Sequence, residues 1–406
     1  MRRIVRPAAA ALAAACLLAG CGGSGGRAES AAVRDSAGIR VVESAAPAWG
    51  EGEGWRLSPE PVLRVGVAEG DPAYQFGAVA GAVRLADGRV AVADRQSGEV
   101  RWYDARGRHV RTAGRKGRGP GEFTSIAWIQ AVGDSLVVGD RATSRVTVLA
   151  AADGRLVRTA EMADDASGRR PRPLAPLPGG AVLAVLPPPF DQARSASGAR
   201  DSVTYLRQEA GGGPPAALGR FPGPERRVTV GDGAVDVREL PFARYDHVAA
   251  AGDGFYQGSA SAPEVGRYDA RGRLVGLVRW AGELRRVTPG DVERYRGRTV
   301  TATDPMARAR MQRPAPELPF PETMPAYGAI LADRGGGLWV QEYAPHWEEA
   351  PVRWTVFDPE GRQLGTLQLP PRFRVTDVGA DYVLGVAQDE LDVQQVQMYR
   401  LDRRGG

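Results

Sequence analysis

The run WVQEYAPHWEE, residues 339–349, concentrates ring-bearing and acidic side chains in eleven positions. Aromatic faces stack on other rings and attract cations, and a neighbouring carboxylate or imidazole adds hydrogen bonds. This chemistry suits sugar, aromatic or cationic ligands. The run therefore predicts a ligand site formed by Trp339, Tyr343, His346, Trp347 and Glu348. The same residue types are also typical of a packed sheet edge or a plain interface, and that interpretation stays open.

A second group of polar residues occurs in RYDHVAAAG, where Arg244, Asp246 and His247 stand within four positions. A histidine that titrates near neutral pH can act as a base or as a ligand, and charged neighbours can orient what it binds. A hydrogen-bonded structural histidine is the alternative. Tyr327, at the end of a long insertion, is the remaining candidate ligand-binding residue.

The patterns of established catalytic sites are missing from the sequence. It has no G-x-S-x-G nucleophile elbow between a strand and a helix, and no H-E-x-x-H metal motif. The three histidines, His109, His247 and His346, are far apart, and asparagine is absent. We therefore predict no catalytic residue, no metal site and no cofactor. A general acid–base pair of carboxylates stays open, because Asp and Glu are plentiful.

The elements that must position these residues repeat along the chain. GRVAVAD at 88–94, followed by EVRWYDARGRHVRTAG, is matched by DSLVVGD at 134–140, followed by SRVTVLAAADGRLVRTAE. Weaker copies continue to Arg403 and give six units. Each unit has a continuous apolar strand, a polar turn, an alternating strand and a D-x-x-G turn. This order is typical of four-stranded propeller blades.

The last unit ends three strands into a four-stranded blade, whereas WRLSPEPVLRVG at 55–66 is a strand without a blade. Pairing the two would close the ring and cover an edge that otherwise invites aggregation. We therefore predict an all-β, six-bladed β-propeller over residues 37–406, closed by its N-terminal strand. Asp94 and Asp140 recur at one turn of consecutive units, so their carboxylates are expected to accept backbone N–H groups.

Two insertions could form a site on this scaffold. The segment 222–240 predicts an extra hairpin. The longer insertion, 281–327, has Thr or Asp before a proline at two places, which predicts short helices near 289–299 and 305–312. Its proline-rich end enters the inner strand of the fifth blade. We therefore expect a cap across one end of the central channel, either a ligand wall or a packing plug.

VADRQSGEVRWYDARGRHVRTAGRKGRGPGEF, in the first unit, resembles an NHL repeat, and residues 37–403 are similar to uncharacterised six-bladed bacterial propeller lipoproteins of the NHL-like or TolB-like kind. The resemblance implies the fold and brings no catalytic motif with it. The glycine-rich run at 114–123 lacks the order of a P-loop, and no helix follows it. It therefore predicts a crossing between blades rather than a phosphate site.

The N-terminal residues have the organisation of a lipoprotein leader. Basic residues precede a short apolar stretch, and Leu18-Ala19-Gly20-Cys21 resembles the bacterial lipobox. The sequence predicts a signal peptide over 1–20, acylation of Cys21, for instance by palmitate, and a flexible tether over 21–36. An ordinary signal peptide with a free cysteine is the alternative. Gly22, in place of aspartate, favours an outer membrane, facing the periplasm or the exterior, in the lipoproteins that this chain resembles.

Composition narrows the remaining classes. The formal net charge is +5, and three of the positive charges belong to the predicted leader, so nothing favours nucleic acid. The two cysteines are Cys16, in the leader, and Cys21, which leaves no thiol for disulfides in the mature chain. The predicted protein is a monomeric, non-enzymatic, lipid-anchored propeller of the cell envelope that binds a small molecule, a glycan or a protein. The alternative is an envelope hydrolase or lyase acting in the central channel under the 281–327 cap.

Overall fold

The computed structural model describes residues 31–50, 52–188, 200–231, 234–297, 318–345, 347–348 and 350–403. The chain begins with an N-terminal pair of strands, β1 (Ala31–Ser36) and β2 (Ile39–Ser44), and two short strands, β3 (Arg56–Leu57) and β4 (Leu63–Val65). The first three blades follow: blade 1 has β5 (Val79–Arg84), β6 (Val90–Asp94), β7 (Glu99–Tyr103) and β8 (His109–Ala113); blade 2 has β9 (Ile126–Val132), β10 (Ser135–Asp140), β11 (Arg145–Ala150) and β12 (Leu156–Glu161); and blade 3 has β13 (Arg172–Pro176), β14 (Val182–Leu186), β15 (Ser202–Gln208) and β16 (Ala216–Pro222). After a hairpin of β17 (Arg226–Gly231) and β18 (Ala234–Glu239), blade 4 has β19 (His247–Ala251), β20 (Gly254–Gly258), β21 (Glu264–Asp269) and β22 (Leu274–Trp280); blade 5 has β23 (Ala329–Ala332), β24 (Leu338–Gln341), β25 (Val352–Phe357) and β26 (Gln363–Leu369); and blade 6 has β27 (Phe373–Val378), β28 (Tyr382–Gln388) and β29 (Gln394–Asp402). One α-helix, α1 (Pro289–Gly297), and short 3-10 turns at Pro72–Tyr74 and Pro178–Gly180 complete the described elements.

The blades form a ring around a central channel. Within each blade the consecutive strands pair antiparallel, and the first strand lies at the axis. β5 contacts β9, β9 contacts β13, β13 contacts β19, β19 contacts β23, and β27 contacts β5. The space at the axis measures about 600 Å³ and is lined by residues of all six first strands or the turns beside them. The six-bladed propeller predicted from the repeats is confirmed.

The second strand of each blade is apolar because neighbouring blades cover both of its faces. β6 and β10 show this most clearly, since every residue of β6 and five of six in β10 are buried. Between blades 1 and 2 the core contains the fully buried rings of Trp102 and Phe123 together with Ile126. The Trp102 indole N–H also donates to the Ala151 carbonyl at 3.0 Å, which joins one blade to the next.

The ring closes through its N-terminal strands, as the sequence predicts. Both β3 and β4 pair antiparallel with β29, with Leu57 opposite Leu401 and Val65 opposite Val396. Leu63 and Val65 are buried in the cluster that joins blades 6 and 1. Burying a side chain of this size contributes about 1.5–3 kcal/mol. The closure therefore completes the fourth strand position of blade 6 and covers its edge.

The N-terminal hairpin is a difference from the sequence expectation, which placed a tether as far as residue 36. β1 pairs with β2, and β2 pairs parallel with β22, so that blade 4 carries six strands. Glu43 and Arg279, which form an ion pair at 2.9 Å across this junction, are 236 positions apart. A parallel pairing between such distant segments has no local sequence pattern.

The insertions contain the predicted hairpin and first helix where the structure describes them, but none of the described residues of 281–327 lines the axial space, where the cap was expected. The expected extra hairpin is present as β17 and β18. Helix α1 begins after Thr288, whose hydroxyl accepts the Asp291 N–H at 3.2 Å while the Asp291 carboxylate accepts the Thr288 N–H at 3.0 Å, a reciprocal cap. The second predicted helix, 305–312, lies outside the described residues. Within the described ranges no helix has the length and apolarity that crossing a bilayer requires.

Candidate functional site

Two features that could have bound ligands serve the fold instead. The buried Asp140 carboxylate accepts the N–H groups of Thr124, Ser125, Ala142 and Thr143 at 2.6–3.1 Å, and Asp94 accepts three N–H groups in the same way. Burial opposes ionisation of Asp140, but these N–H groups hold its pKa below the ordinary value. Both turn predictions are confirmed.

The glycine-rich run at 114–123 also serves the fold. It connects β8 to β9, as predicted. The Lys116 ammonium group donates to the carbonyls of Arg95 at 2.6 Å and Thr124 at 3.0 Å. Because its donors already bind backbone carbonyls, this ammonium group links neighbouring segments by hydrogen bonds.

The cap is closed by a backbone hydrogen bond between its own two ends and is attached to blade 4 by one tyrosine. The two ends of the described cap pair with each other, since the Met324 N–H donates to the Arg285 carbonyl at 2.8 Å. The Tyr327 hydroxyl accepts the Ala260 N–H at 3.0 Å and donates to the Glu264 carbonyl at 3.2 Å. A Cβ at Gly258 would lie 1.9 Å from that hydroxyl, so only glycine admits it. Tyr327 therefore has a structural contact set.

A cleft of about 770 Å³ opens between this cap and the β24–β25 loop of blade 5. Its walls contain aromatic, aliphatic, amide and charged side chains. They are formed by Pro263, Trp280, Glu283, Leu284, Arg285, Met324, Pro325, Gln341, Glu342, Tyr343, Pro345, Glu348, Pro351, Val352, Arg353, Gln368 and Arg372, with glycine and alanine residues between them. The sequence predictions Tyr343 and Glu348 both lie here.

Most charged groups in the cleft are already paired. The Glu348 carboxylate binds the Arg285 guanidinium at 2.6 Å, and Arg285 also binds Asp291 at 2.9 Å. On the opposite wall Arg353 binds Glu342 at 3.3 Å. Burial raises the pKa of Tyr343 to about 12, so its hydroxyl stays protonated and can donate a hydrogen bond. The cleft therefore combines ion-paired side chains with the uncharged polar groups of Tyr343, Gln341 and Gln368.

A second polar group lies at the start of β19, near the axis. The Asp246 carboxylate accepts the Tyr205 hydroxyl at 3.0 Å, and the His247 ring lies 5.4 Å from the Tyr327 ring. Burial raises the pKa of Asp246. Burial, followed by the positive charge of Arg200, lowers the pKa of His247 to about 4, so the imidazole is neutral at pH 7.

Arg244, from the same predicted group, links two segments of the chain. Its guanidinium binds Glu225 at 3.2 Å and donates to the Thr323 hydroxyl at 2.9 Å and carbonyl at 3.2 Å. It therefore joins the segment before β17 to the cap. The structure brings Arg244, Asp246, His247 and Tyr327 into one region, but the contacts of Arg244 and Tyr327 are those of residues that hold segments together.

The other predicted residues separate. Trp339 is fully buried between blades 5 and 6, with its ring 6.3 Å from that of Trp354. Trp347 packs against Phe242 at 5.9 Å between ring centroids and does not line the cleft. His346 and Cys21 lie outside the described residues. Sequence reasoning missed the cleft residues Trp280 and Arg285, because their neighbours come from a different blade.

The axial channel offers little chemistry among the described residues. Its lining is rich in alanine and other small or aliphatic side chains, and its carboxylates are paired. Asp377 binds Arg334 at 2.7 Å and accepts the Tyr382 hydroxyl at 2.7 Å, while Asp333 accepts two turn N–H groups and binds Arg403 at 3.0 Å. No cluster of three or more potential metal-binding side chains occurs in the described part of the chain.

The fold and the cleft define the class: a six-bladed β-propeller with a capped face and a ligand-sized cleft between blades 4 and 5. No family model matches the sequence, and no curated protein matches it. Among solved structures, a DUF4221-family member from Bacteroides vulgatus is similar with a TM-score of 0.52 and 10% identity, covering 87% of this chain and 99% of that one.

Two further structures are more distant. An exported protein of Bacteroides fragilis has a TM-score of 0.47 and 10% identity, covering 90% of this chain and 99% of that one. A gluconolactonase from Xanthomonas campestris has a TM-score of 0.43 and 14% identity, covering 81% of this chain and 87% of that one. At such low identity the similarities concern the fold alone.

Proposed function

We propose that this protein is a non-enzymatic, lipid-anchored propeller of the cell envelope that binds a small polar ligand with a ring, of the saccharide type, in the cleft between blades 4 and 5. The cleft carries the proposal. Its volume of about 770 Å³ falls within the range of small-molecule sites. The anchor rests on Cys21 in its lipobox-like context.

The ligand class follows from what the cleft leaves unpaired. Trp280 and Tyr343 offer ring faces, and Gln341 and Gln368 offer amide donors and acceptors. Glu348 and Glu342 pair with Arg285 and Arg353, and the lining residues Glu283 and Arg372 carry opposite charges, so the cleft has no net formal charge to attract an ion. A neutral ring with several hydroxyl groups matches both the aromatic rings and the amide groups of the lining.

The polar groups outside the cleft support binding over catalysis. A general acid or base needs to reach a substrate, and the described axial carboxylates are engaged by arginines, tyrosines or turn N–H groups.

Asp246 and His247 favour the second candidate, an envelope hydrolase or lyase, since their pKa values are shifted. Hydrolysis or elimination of a panel saccharide that is lost in Asp246→Asn would establish this alternative.

The test uses the soluble Cys21→Ser protein and a panel of neutral and charged saccharides, with binding measured by calorimetry. Tyr343→Ala is expected to raise the Kd of the best saccharide about tenfold, which corresponds to about 1.4 kcal/mol. Tyr245→Ala is the matched control, because Tyr245 is a partly exposed tyrosine outside the cleft lining. Absence of saccharide binding, or an equal loss in both variants, would reject the proposed site.

The anchor has its own test. Full-length protein is expected to sediment with membranes, and Cys21→Ser is expected to release it into the soluble fraction. Sedimentation of the Cys21→Ser variant with membranes would contradict the anchor. It would leave the cleft proposal unaffected, since saccharide binding is measured on the soluble protein.

A further inference from the structure

The first strand of the N-terminal hairpin begins beside the cleft. In the register of blade 4, Ala31 of β1 is opposite Ser44 of β2, and Ser44 is opposite Trp280 of β22. Two strand spacings of about 4.8 Å therefore place Ala31 roughly 10 Å from Trp280, a residue of the cleft wall. Ala31 thus lies at the cleft edge of the propeller.

The chain between the proposed anchor and this point is short. Ten positions separate Cys21 from Ala31, and ten residues span at most about 36 Å even when fully extended. The Trp280 wall of the cleft can consequently lie no more than about 45 Å from the acylated residue. Blade 2 lies on the opposite side of a six-bladed ring from blade 5, so a segment that ends at Ala31 needs less chain to reach the cleft than to reach blade 2.

An exposed apolar residue occurs on the same side of the molecule. Leu391, in the β28–β29 turn, has 84% of its surface exposed, more than any other large apolar residue in the described ranges. The Asp392 carboxylate of this turn binds Arg372 at 2.7 Å, and Arg372 lines the cleft. An apolar side chain at this edge is suited to contact with a membrane interface.

We propose that the cleft is held at the membrane surface and takes a saccharide carried by a lipid of the same membrane. This inference rests on the proposed anchor and on the proposed saccharide site. A ligand confined to the same surface meets the cleft at a high effective concentration, so a modest intrinsic affinity suffices. A saccharide free in solution gains nothing from so short a connection.

The position of the cleft is tested with labelled lipoprotein in vesicles of phosphatidylethanolamine and phosphatidylglycerol that contain a headgroup quencher. Ala344→Cys places a fluorophore at the cleft, and Ala152→Cys places one on the β11–β12 turn of blade 2 as the matched control. We expect quenching at position 344 to exceed that at 152 at least threefold. Adding thirty Gly/Ser residues between positions 30 and 31 is expected to make the two signals equal. Equal quenching without the added residues would overturn the orientation.

The source of the saccharide is tested with the tightest-binding member of the panel, used free and coupled to diacylglycerol in the same vesicles. The anchored protein is expected to bind the lipid-coupled form at least tenfold more tightly than the free form, and Cys21→Ser should reduce this preference. Equal binding of both forms by the anchored protein would overturn the membrane source while leaving the saccharide site intact. Failure of every saccharide to bind would instead reject the site itself.

Discussion

Blades 1 and 2 and blades 4 and 5 are built on the same four-stranded sheet but use their polar side chains differently. In blades 1 and 2, Asp94 and Asp140 close their own turns with backbone hydrogen bonds, and the connections between blades are short. In blade 4 no aspartate stands at the matching strand end, Gly258. The hydroxyl of Tyr327, which belongs to the cap, binds the turn that follows.

This difference shows how the propeller gains a site without losing its framework. In blades 1 and 2 the carboxylates of Asp94 and Asp140 satisfy the local backbone. In blades 4 and 5 the cap, which lies outside the repeat, provides some of the hydrogen-bond partners of the turn backbone. The space between the cap and blade 5 forms the cleft. The cap is consequently part of the packing of blade 4, bonded through Tyr327 and through the Arg244 contacts to Thr323.

The largest effect is expected from removing the strands that close the ring. A soluble protein that starts at residue 67 lacks β3 and β4, so the β29 edge and the buried partners of Leu63 become exposed. We expect it to aggregate and to lose its cooperative thermal transition. A protein that starts at residue 46 lacks only the hairpin added to blade 4, and it should stay monomeric with a lowered Tm. Size-exclusion chromatography and circular dichroism separate the two outcomes. A cooperative, monomeric protein starting at residue 67 would contradict this role of the closure.

The next effect concerns the turn aspartates of the regular blades. Asp140→Ala leaves four buried or partly buried N–H groups without their acceptor, and we expect it to lower the free energy of unfolding by about 3 kcal/mol. Asp134→Ala, in an exposed turn of the same blade, should change it by less than about 0.5 kcal/mol. Urea unfolding at pH 7 measures both.

The pH dependence of this effect has a defined sign. Because the pKa of Asp140 is lowered in the folded protein, its stabilisation is complete above the ordinary value of 3.8 and is lost as the pH falls through the folded pKa. The gap between the parent protein and Asp140→Ala should therefore be constant from pH 7 to pH 5 and shrink only in stronger acid. A gap that closes near neutral pH would point to another group.

A smaller effect, in a different pH window, is expected from His247 in blade 4. Its pKa is lowered to about 4 from the ordinary 6.5, so the unfolded chain takes up a proton more readily than the folded one between these values. Stability should fall by about 2–3 kcal/mol between pH 7 and pH 4.5 through this group. His247→Phe should remove that part of the pH dependence, whereas His109→Gln, at an outer strand, should leave it unchanged. An unchanged slope in His247→Phe would contradict a buried neutral imidazole.

The ring and its closure could be predicted because the residues that define a blade repeat along the sequence and the last unit visibly lacks its fourth strand. The recurring Asp94 and Asp140, and the strand at 55–66 without a blade, pointed to the ring and its closure. The pairing of β2 with β22 could not be read in the same way, since it joins segments 236 positions apart without a repeat.

Only some of the cleft residues could be predicted, because the others come from distant segments of the chain. Tyr343 and Glu348 lie in one conspicuous run, but the arginine that pairs with Glu348 is 63 positions away, on the cap. Trp339 belongs to the same run and is buried, because successive residues of a strand point to opposite faces and both faces of β24 are covered. Composition locates a cluster, whereas the packing of two blades decides which of its members reach the surface.

The smallest effect compares two ion pairs that have the same short distance. Glu348 in the cleft and Glu99 in blade 1 each bind an arginine at 2.6 Å, but Arg285 has 45% of its side chain exposed and Arg101 only 8%. Glu348→Gln should therefore change the free energy of unfolding by less than about 1 kcal/mol. Glu99→Gln leaves a buried guanidinium with a weaker partner and should cost about 2 kcal/mol. Urea unfolding of both variants, combined with saccharide binding, tests whether the cleft pair serves the ligand: only Glu348→Gln should weaken binding. A larger loss of stability in Glu348→Gln than in Glu99→Gln would mean that the cleft pair, like its counterpart in blade 1, serves the fold.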